Sequence, residues 1–492
     1  MGIAIKRLDT TLYPDPKRVI ARFYLPGGED RGRYIIQKIM SLSEEKVQEL
    51  LQRILGNYAN RHRNITNIFE NHFNNVSRLL AAIEDDPETI TQERKRLIGA
   101  YFTHEYSIES AAFFNPSIIE DPDQSHLEEG QKRLIVSFRA TGEGHISSIV
   151  FRSVIIDQQN KLSFQRTNDL VEQPETIRLT FFNKQRYISK LDELNIHKDI
   201  VDLIMKGLGD EFTYKELNDS IHNCVKDMNL SLSKKNVIKS MIWLADAHYD
   251  TKFSMDTALT ERVIFPASES EKNGIEDARF VKFTDDDGKS TYYATYTAYN
   301  GFATMSKLLE TKDFYQFTTR PLHGKSANSK GMALFPRKIR GQYAMISRID
   351  GFCNYVMYSD SLTTWQDEIK IEEPQSPWEF VQIGNCGSPI ETEYGWLLLT
   401  HGVGAMREYC LGISLLDLDH PEKVICQLED PILIPNQTER EGYVPNVVYS
   451  CGSIIHNNDI IIPYGLSDSA SSFAALPLDL IFEKMHLGRH RS

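Results

Sequence analysis

The stretch GIEDARFVKFTDDDGKSTYYATYTAY (274–299) reads as two strands joined by a tight polar turn, and its form recurs along the chain. Val, Phe, Tyr and Thr fill the two strands, and Asp285, Asp286, Asp287 and Gly288 make the turn. Four further second strands share its form: RLIVSFRA (133–140), QYAMISRI (342–349), GWLLLTHG (395–402) and DIIIPYGLSD (459–468). NPSIIE, GMALFPRKI, GSPIETE and PNVVYSCGSII stand before them as first strands. From Tyr296 to Arg348 to His401 the steps are roughly 50 residues, and such a period with several strands per unit indicates a β-propeller, here of five blades. The innermost strands of a propeller end around one axis, so polar residues distant in sequence are expected to meet in one pocket.

A chain of 492 residues exceeds one average core. The pattern divides it into a helical N-terminal region (1–110), a first blade (111–184), a helical insertion (185–245), the remaining blades (246–482) and a basic tail (483–492). Residues 1–30 read as irregular, broken by Pro14, Pro16 and Pro26. SEEKVQELLQRIL (43–55) opens on an N-cap serine and sets Val47, Leu50, Leu51 and Ile54 on one face. These helices are expected to pack, and they offer a surface for a homo-oligomer.

The net charge of -13 argues against nucleic acid as a partner, which needs a broad basic surface. No run approaches the length of a membrane span, and the opening MGIAIKRLDTTLYPDP has no apolar signal core. Cys224, Cys353, Cys386, Cys410, Cys426 and Cys451 show no CxxC spacing and mostly lie in apolar strands. A reducing, cytoplasmic setting is expected.

The shared register singles out the polar residues. First-strand starts supply Asn115, Glu276, Asp277, Arg279 and Lys330; second-strand ends supply Arg139, Tyr296, Arg348, His401 and Asp468; neighbouring loops add Glu143, His145 and Arg407. One carboxylate becomes a proton donor if burial raises its pKa. Clustered Arg, Lys and His suit a phosphate or carboxylate. Asn, Arg and Asp suit sugar hydroxyls, and Tyr296, Tyr299, Phe302 and Trp378 offer faces for stacking on a sugar. Walker, GxGxxG, GxSxG and HExxH patterns are absent. His486 and His490 read as solvated tail residues, and DDDG (285–288) as a hairpin turn.

The ordered segments NPS (115–117), FRATGEGHIS (138–147), GIEDARFVKF (274–283), YATYTAY (293–299), KGMALFPRKI (330–339), THGV (400–403), LGISLLDLDHPEKVI (411–425), EREGYVPNVVYSCG (439–452) and YGLSD (464–468) resemble glycoside hydrolase family 130. The resemblance runs from about Phe114 to Leu480 apart from the helical insertion. It implies a five-bladed propeller and an inverting phosphorylase that cleaves a β-mannoside or manno-oligosaccharide with inorganic phosphate to α-mannose 1-phosphate. An inverting β-mannosidase is the alternative within the family, with Glu143 as candidate base, and a non-catalytic sugar-binding propeller is the alternative outside enzymes. By motif, Asp277 corresponds to the proton donor, which in the family is thought to act through a mannose hydroxyl. Asn115, Arg139 and Asp468 fall at the mannosyl-binding positions, with Glu143, Glu276, Arg279 and Tyr296 beside them. Lys330, Arg348, His401 and Arg407 fall in or near phosphate-binding segments. No metal or organic cofactor is implied. Ala278 stands where the family commonly has proline, and the helical N-terminal region and insertion are absent from compact members.

Overall fold

The computed structural model describes residues 5–80, 90–177, 181–194, 196, 198–226, 230–327 and 329–487. The end of the basic tail, His490 included, therefore lies outside the described residues. The architecture is mainly β, with nine α-helices among the described residues. Five antiparallel sheets of at least four strands each carry the recurring segments.

Each recurring segment forms the hairpin expected of it. In the first sheet Ala112–Glu120 pairs with Lys132–Thr141, which pairs with Ser147–Ile156. In the second, Gly274–Thr284, Ser290–Tyr299, Thr304–Thr311 and Gln316–Pro321 run as a meander. The third holds Ala333–Leu334, Tyr343–Ser347, Asn354–Ser359 and Glu368–Glu372. The fourth holds Gln382–Asn385, Gly395–Val403, Tyr409–Leu416 and Val424–Gln427. The fifth holds Val448–Tyr449, Asp459–Leu466 and Ala470–Pro477. The strand Ala112–Glu120 packs against Gly274–Thr284, and Ser290–Tyr299 against Ala333–Leu334. Tyr343–Ser347 meets Gln382–Asn385, Tyr409–Leu416 meets Val448–Tyr449, and Asp459–Leu466 returns to Ala112–Glu120. Among the described residues no single sheet closes on itself.

Three features depart from the linear reading. Residues 6–12, expected to be irregular, form the strand Lys6–Leu12, which pairs with Ala470–Pro477 as the outer strand of the fifth sheet. Residues 19–23 form a second strand, paired with Thr103–Ser107. Pairing across most of the chain length is invisible to a local pattern. The boundaries expected at 184 and 246 are also crossed. Glu175–Ile177 pairs with Tyr249–Lys252 in the second sheet, and Val263–Ile264 pairs with Ser147–Ile156 in the first.

The helices fall into two groups. Near the N-terminus α1 (Gly28–Met40), α2 (Glu44–Tyr58), α3 (Ile65–Leu80) and α4 (Gln92–Tyr101) share a core of Ile36, Val47, Phe73, Val76 and Leu97. Ser43 caps α2 by accepting from the Lys46 amide, as its sequence suggested. Helices α5 (Lys184–Glu193), α6 (Lys198–Lys206), α7 (Tyr214–Val225) and α8 (Leu232–Asp246) instead share one core with the first two sheets. Tyr187, Ile204 and Met241 are buried there with Phe151, Phe280 and Phe317. A last helix, α9 (Leu478–Lys484), follows the fifth sheet. No described helix is long and apolar enough to cross a membrane.

Candidate active site

Two β-bulges aim the central side chains. The pairing register slips between Phe114 and Ser117 in the first sheet, and between Glu276 and Arg279 in the second. Each bulge puts one polar residue in the left-handed region: Asn115 at φ 49° and Asp277 at φ 54°. Asn and Asp tolerate that conformation better than other non-glycine residues, and bulges re-aim side chains next to active sites. The bulged residues meet: Asn115 Nδ2 donates to Asp277 Oδ1 at 2.7 Å.

Arg139, at the end of its strand in the first sheet, reaches the same group. Its Nη1 lies 3.4 Å from Asp277 Oδ1 and its Nη2 3.0 Å from Glu276 Oε1. Lys330, on the approach to the third sheet, donates to Glu276 Oε2 at 2.9 Å. Arg279 donates to the Asp277 carbonyl at 3.2 Å and to the Tyr449 hydroxyl at 2.6 Å. Five of the expected residues, Asn115, Arg139, Glu276, Arg279 and Lys330, thus form one connected polar cluster around Asp277.

A second pair lies between the third and fourth sheets. Arg348 Nη1 is 3.2 Å from His401 Nε2, and the His401 ring packs edge-on against Tyr449 with centroids 4.9 Å apart. Tyr449, bonded to Arg279 and packed on His401, links the two groups. Its strand, PNVVYSCG, reads as an apolar inner strand, so nothing in the sequence singled it out. Gly384 allows the His401 ring its place, since a Cβ there would stand 2.4 Å from His401 Cε1.

Repeated turn geometry explains why Arg139 and His401 occupy matching places. Gly142–Glu143–Gly144–His145 and Gly404–Ala405–Met406–Arg407 follow the two strands with nearly the same backbone. The leading glycines sit at φ -108° and -107°, and His145 and Arg407 at φ 60° and 58°. Arg139 and His401 each lie three residues before the leading glycine. Asp468 occupies the turn of the fifth sheet at φ 54°.

The electrostatics divide the carboxylates. Burial raises the proton affinity of Asp277, but Arg139, Arg279, the Asn115 hydrogen bond and Lys330 together outweigh it, and its pKa falls below the usual carboxylate value. The expectation that burial would raise the pKa of the central carboxylate fails for Asp277 because cations crowd it. It holds for Asp468, whose pKa burial and the neighbouring Asp277 charge push up to about 6 against the pull of Arg139 and Arg407. His401 is shifted well below its ordinary value by burial and by Arg348 and Arg279, so it is a neutral ring near pH 7 rather than a cation. Buried atoms Asn115 Oδ1, Arg139 Nε and Arg348 Nε have no hydrogen-bond partner among the described residues, and such capacity suits a ligand rich in hydroxyls or negative oxygens.

Some expected residues lie elsewhere. Tyr296 is 2% exposed and spends its hydroxyl on Glu271 Oε1 at 2.6 Å, inside a buried network with Tyr249 and Lys307. It supports the second sheet from within. Glu143 is exposed on its turn, and its charge bears on Arg22, His104 and Tyr106. Arg407 is exposed, and its charge bears on Asp468. Trp378 covers Gly402 and Gly412 of the fourth sheet and donates to the Glu429 carbonyl, which ties it down. The Tyr299 hydroxyl donates to the Gly301 carbonyl beside Lys330.

Asp468 makes a pH prediction. A carboxyl with a raised folded pKa binds its proton more readily when folded, so its contribution to stability is favourable below the unfolded value and declines as pH rises toward about 6. Replacing Asp468 with Asn is therefore expected to raise Tm near pH 7.5 and to raise it much less near pH 4.5, while activity drops. An equal Tm change at both pH values, read by calorimetry, would contradict the assignment.

Residues 217–487 match the model of glycoside hydrolase family 130, described as beta-1,4-mannooligosaccharide phosphorylase, over more than half of the chain. The chain belongs to glycoside hydrolase family 130. It is an enzyme of that family, and Glu276, Asp277, Arg279, Lys330, Arg348, His401, Tyr449 and Asp468 fall within the matched residues. Asn115 and Arg139 precede them and stand on geometry. A 1,2-beta-oligomannan phosphorylase of a Thermoanaerobacter species is 35% identical over 231 residues, which is 45% of this chain and 74% of that protein. A beta-1,2-mannobiose phosphorylase of Listeria innocua is 28% identical over 231 residues, 46% of this chain and 63% of that protein. A solved structure of beta-1,2-mannobiose phosphorylase from Listeria innocua aligns with a TM-score of 0.45 at 20% identity, covering 78% of this chain and 93% of the other.

Proposed function

We propose that this family 130 enzyme is an inverting phosphorylase of β-mannosides. The observation that carries the reading is the convergence of Asn115 and Arg139 from one sheet on Asp277 and Glu276 from the next, with Lys330 bonded to Glu276. We infer as well that the five sheets are the blades of a propeller. The contact of each sheet with the next, and of the fifth with the first, supports this.

In this reading the mannosyl unit lies against Asn115, Arg139 and Asp468. Phosphate is held by the Lys330, Arg348 and Arg407 cations, and neutral His401 accepts from Arg348 at Nε2 and orients that guanidinium beside the phosphate. A phosphate oxygen bonds to the anomeric carbon as the glycosidic bond breaks on the opposite face. The proton of Asp277 passes to the leaving oxygen, directly or through a sugar hydroxyl, and the products are α-mannose 1-phosphate and a shortened sugar. Asp277 is ionised in the free enzyme because cations surround it. A phosphate anion beside Lys330 and Arg348 offsets those charges and raises the proton affinity of Asp277, so the carboxyl carries its proton when the nucleophile is present. Phosphate stands where an inverting hydrolase holds water, so no second carboxylate base is required. The free thiols of all six cysteines support a cytoplasmic setting.

The test is cleavage of β-1,2- and β-1,4-linked manno-oligosaccharides with and without inorganic phosphate, followed by NMR. The expected result is α-mannose 1-phosphate and a rate that vanishes without phosphate. Cleavage at an unchanged rate in phosphate-free buffer would replace the phosphorylase by a hydrolase.

A further inference from the structure

The third and fourth sheets share a second buried polar group, built from residues other than the Asp277 cluster. The outer strand of the third sheet, Glu368–Glu372, is exposed over its first three residues. The pairing register then slips between Asn354 and Tyr355, and Glu372 turns inward to 5% exposure. A bulge re-aims a side chain in this way. Glu372 Oε2 accepts from Asn354 Nδ2 at 2.8 Å, and Asn354 is 0% exposed. Ser414, buried in Tyr409–Leu416 of the fourth sheet, bears on the same carboxyl, as does buried Glu379 from the segment between the two sheets.

Among the described residues that bear on the Glu372 carboxyl, none is a cation. Burial raises its pKa, the Ser414 hydroxyl and the Asn354 amide pull it down, and the Glu379 charge pushes it up again. Glu379 is already engaged: its Oε1 accepts from the Gln375 and Ser376 amides at 2.9 and 3.0 Å. Gln427, the cross-strand partner of Ser414, places its Nε2 3.4 Å from both Glu379 oxygens. Glu372 Oε1 and Asn354 Oδ1, both buried, have no hydrogen-bond partner among the described residues. Other buried carboxylates of this chain are matched with cations, as Glu271 is by Lys307 and Glu109 by Arg18 and Arg152. A buried carboxylate is costly unless it is paired or coordinates a metal ion.

We propose that Glu372, Asn354 and Ser414 hold a hard monovalent cation, sodium or potassium, between the third and fourth sheets. Carboxyl, amide and hydroxyl oxygens are the ligands that hard cations take, and Ser414 supplies its oxygen from the neighbouring sheet. One uncompensated negative charge matches one positive charge. Among the described residues no three His, Cys, Asp or Glu side chains form a metal-binding group, which argues against a transition metal or a calcium cage. The ion ties Glu368–Glu372 to Tyr409–Leu416, and the inference is independent of the phosphorylase reading.

The test is thermal unfolding of the whole enzyme, freed of metal ions with a chelator and dialysed into tetramethylammonium chloride. It is then titrated with sodium or potassium chloride at constant ionic strength. The expected result is a saturating rise in Tm of about two degrees or more with sodium or potassium. Glu372→Gln removes the charge, and it is expected to abolish that response while raising Tm in tetramethylammonium chloride. Ser414→Ala keeps the charge, and it is expected to move the midpoint of the titration about tenfold higher. If Glu372→Gln fails to fold, the parent titration and Ser414→Ala decide. A Tm equal in the three salts, or a salt response shared unchanged by the variants, would overturn the site and leave its oxygens to water or to a proton on Glu372. A response to micromolar calcium with none to sodium or potassium would overturn the singly charged ion.

Discussion

Asp277→Asn is expected to lower turnover about a thousandfold while sugar binding changes only a few-fold. The substitution keeps the shape of the side chain, and Asn accepts the left-handed conformation at φ 54°. The Asn115 contact survives if the new amide turns its oxygen toward Asn115 Nδ2. What disappears is the carboxyl proton and the charge that faces Arg139, Arg279 and Lys330. Steady-state phosphorolysis gives the rate, and calorimetric titration gives the affinity. A variant within tenfold of the parent rate would remove Asp277 as the donor and leave Asp468, the carboxyl with the raised pKa, as the next candidate.

Lys307→Met is expected to be the most destabilising of single changes near the site. Lys307 and Glu271 are both 0% exposed and 2.7 Å apart. Burial raises the Glu271 pKa, yet Lys307, the Tyr296 hydroxyl and the Ala267 amide outweigh it and hold the carboxyl below its ordinary value. Removing the ammonium strands a buried carboxylate, at a cost of about 3–5 kcal/mol. The sign follows from the depressed pKa. The pair stabilises the fold above the unfolded carboxyl value, and that contribution is lost as pH falls through the lower folded value. The variant loses this dependence, so its deficit is largest near neutral pH and shrinks in acid. Adding Glu271→Gln should restore part of the lost stability, because the uncompensated charge is gone. Thermal unfolding of the two variants checks both statements. A Tm for Lys307→Met within a degree of the parent would mean that the pair contributes nothing.

The repeated hairpins were legible because strand alternation and turn residues are local. GIEDARFVKF and TYYATYTAY pair as their spacing suggested, and Asp285–Gly288 makes the turn between them. The shared register also sets Asn115, Arg139, Glu276, Asp277 and Lys330 at corresponding strand ends, and these residues meet. The same logic fails for Tyr296. It lies at the matching end of its strand, but strand residues alternate faces, and its hydroxyl points to Glu271 rather than to Asp277. Glu143 shares a segment with Arg139, yet its turn carries it into solvent.

By itself the sequence determined the hairpins, the helices with their caps and the set of polar residues at strand ends, because each depends on neighbours a few positions away. Only the tertiary structure decided which of them touch. It brought the Lys6–Leu12 strand onto the fifth sheet, set Tyr449 between Arg279 and His401, and gave Asp277 and Asp468 opposite pKa shifts. Those outcomes depend on burial and on charges held a few ångströms apart by segments far apart in the chain, and no window of sequence contains them.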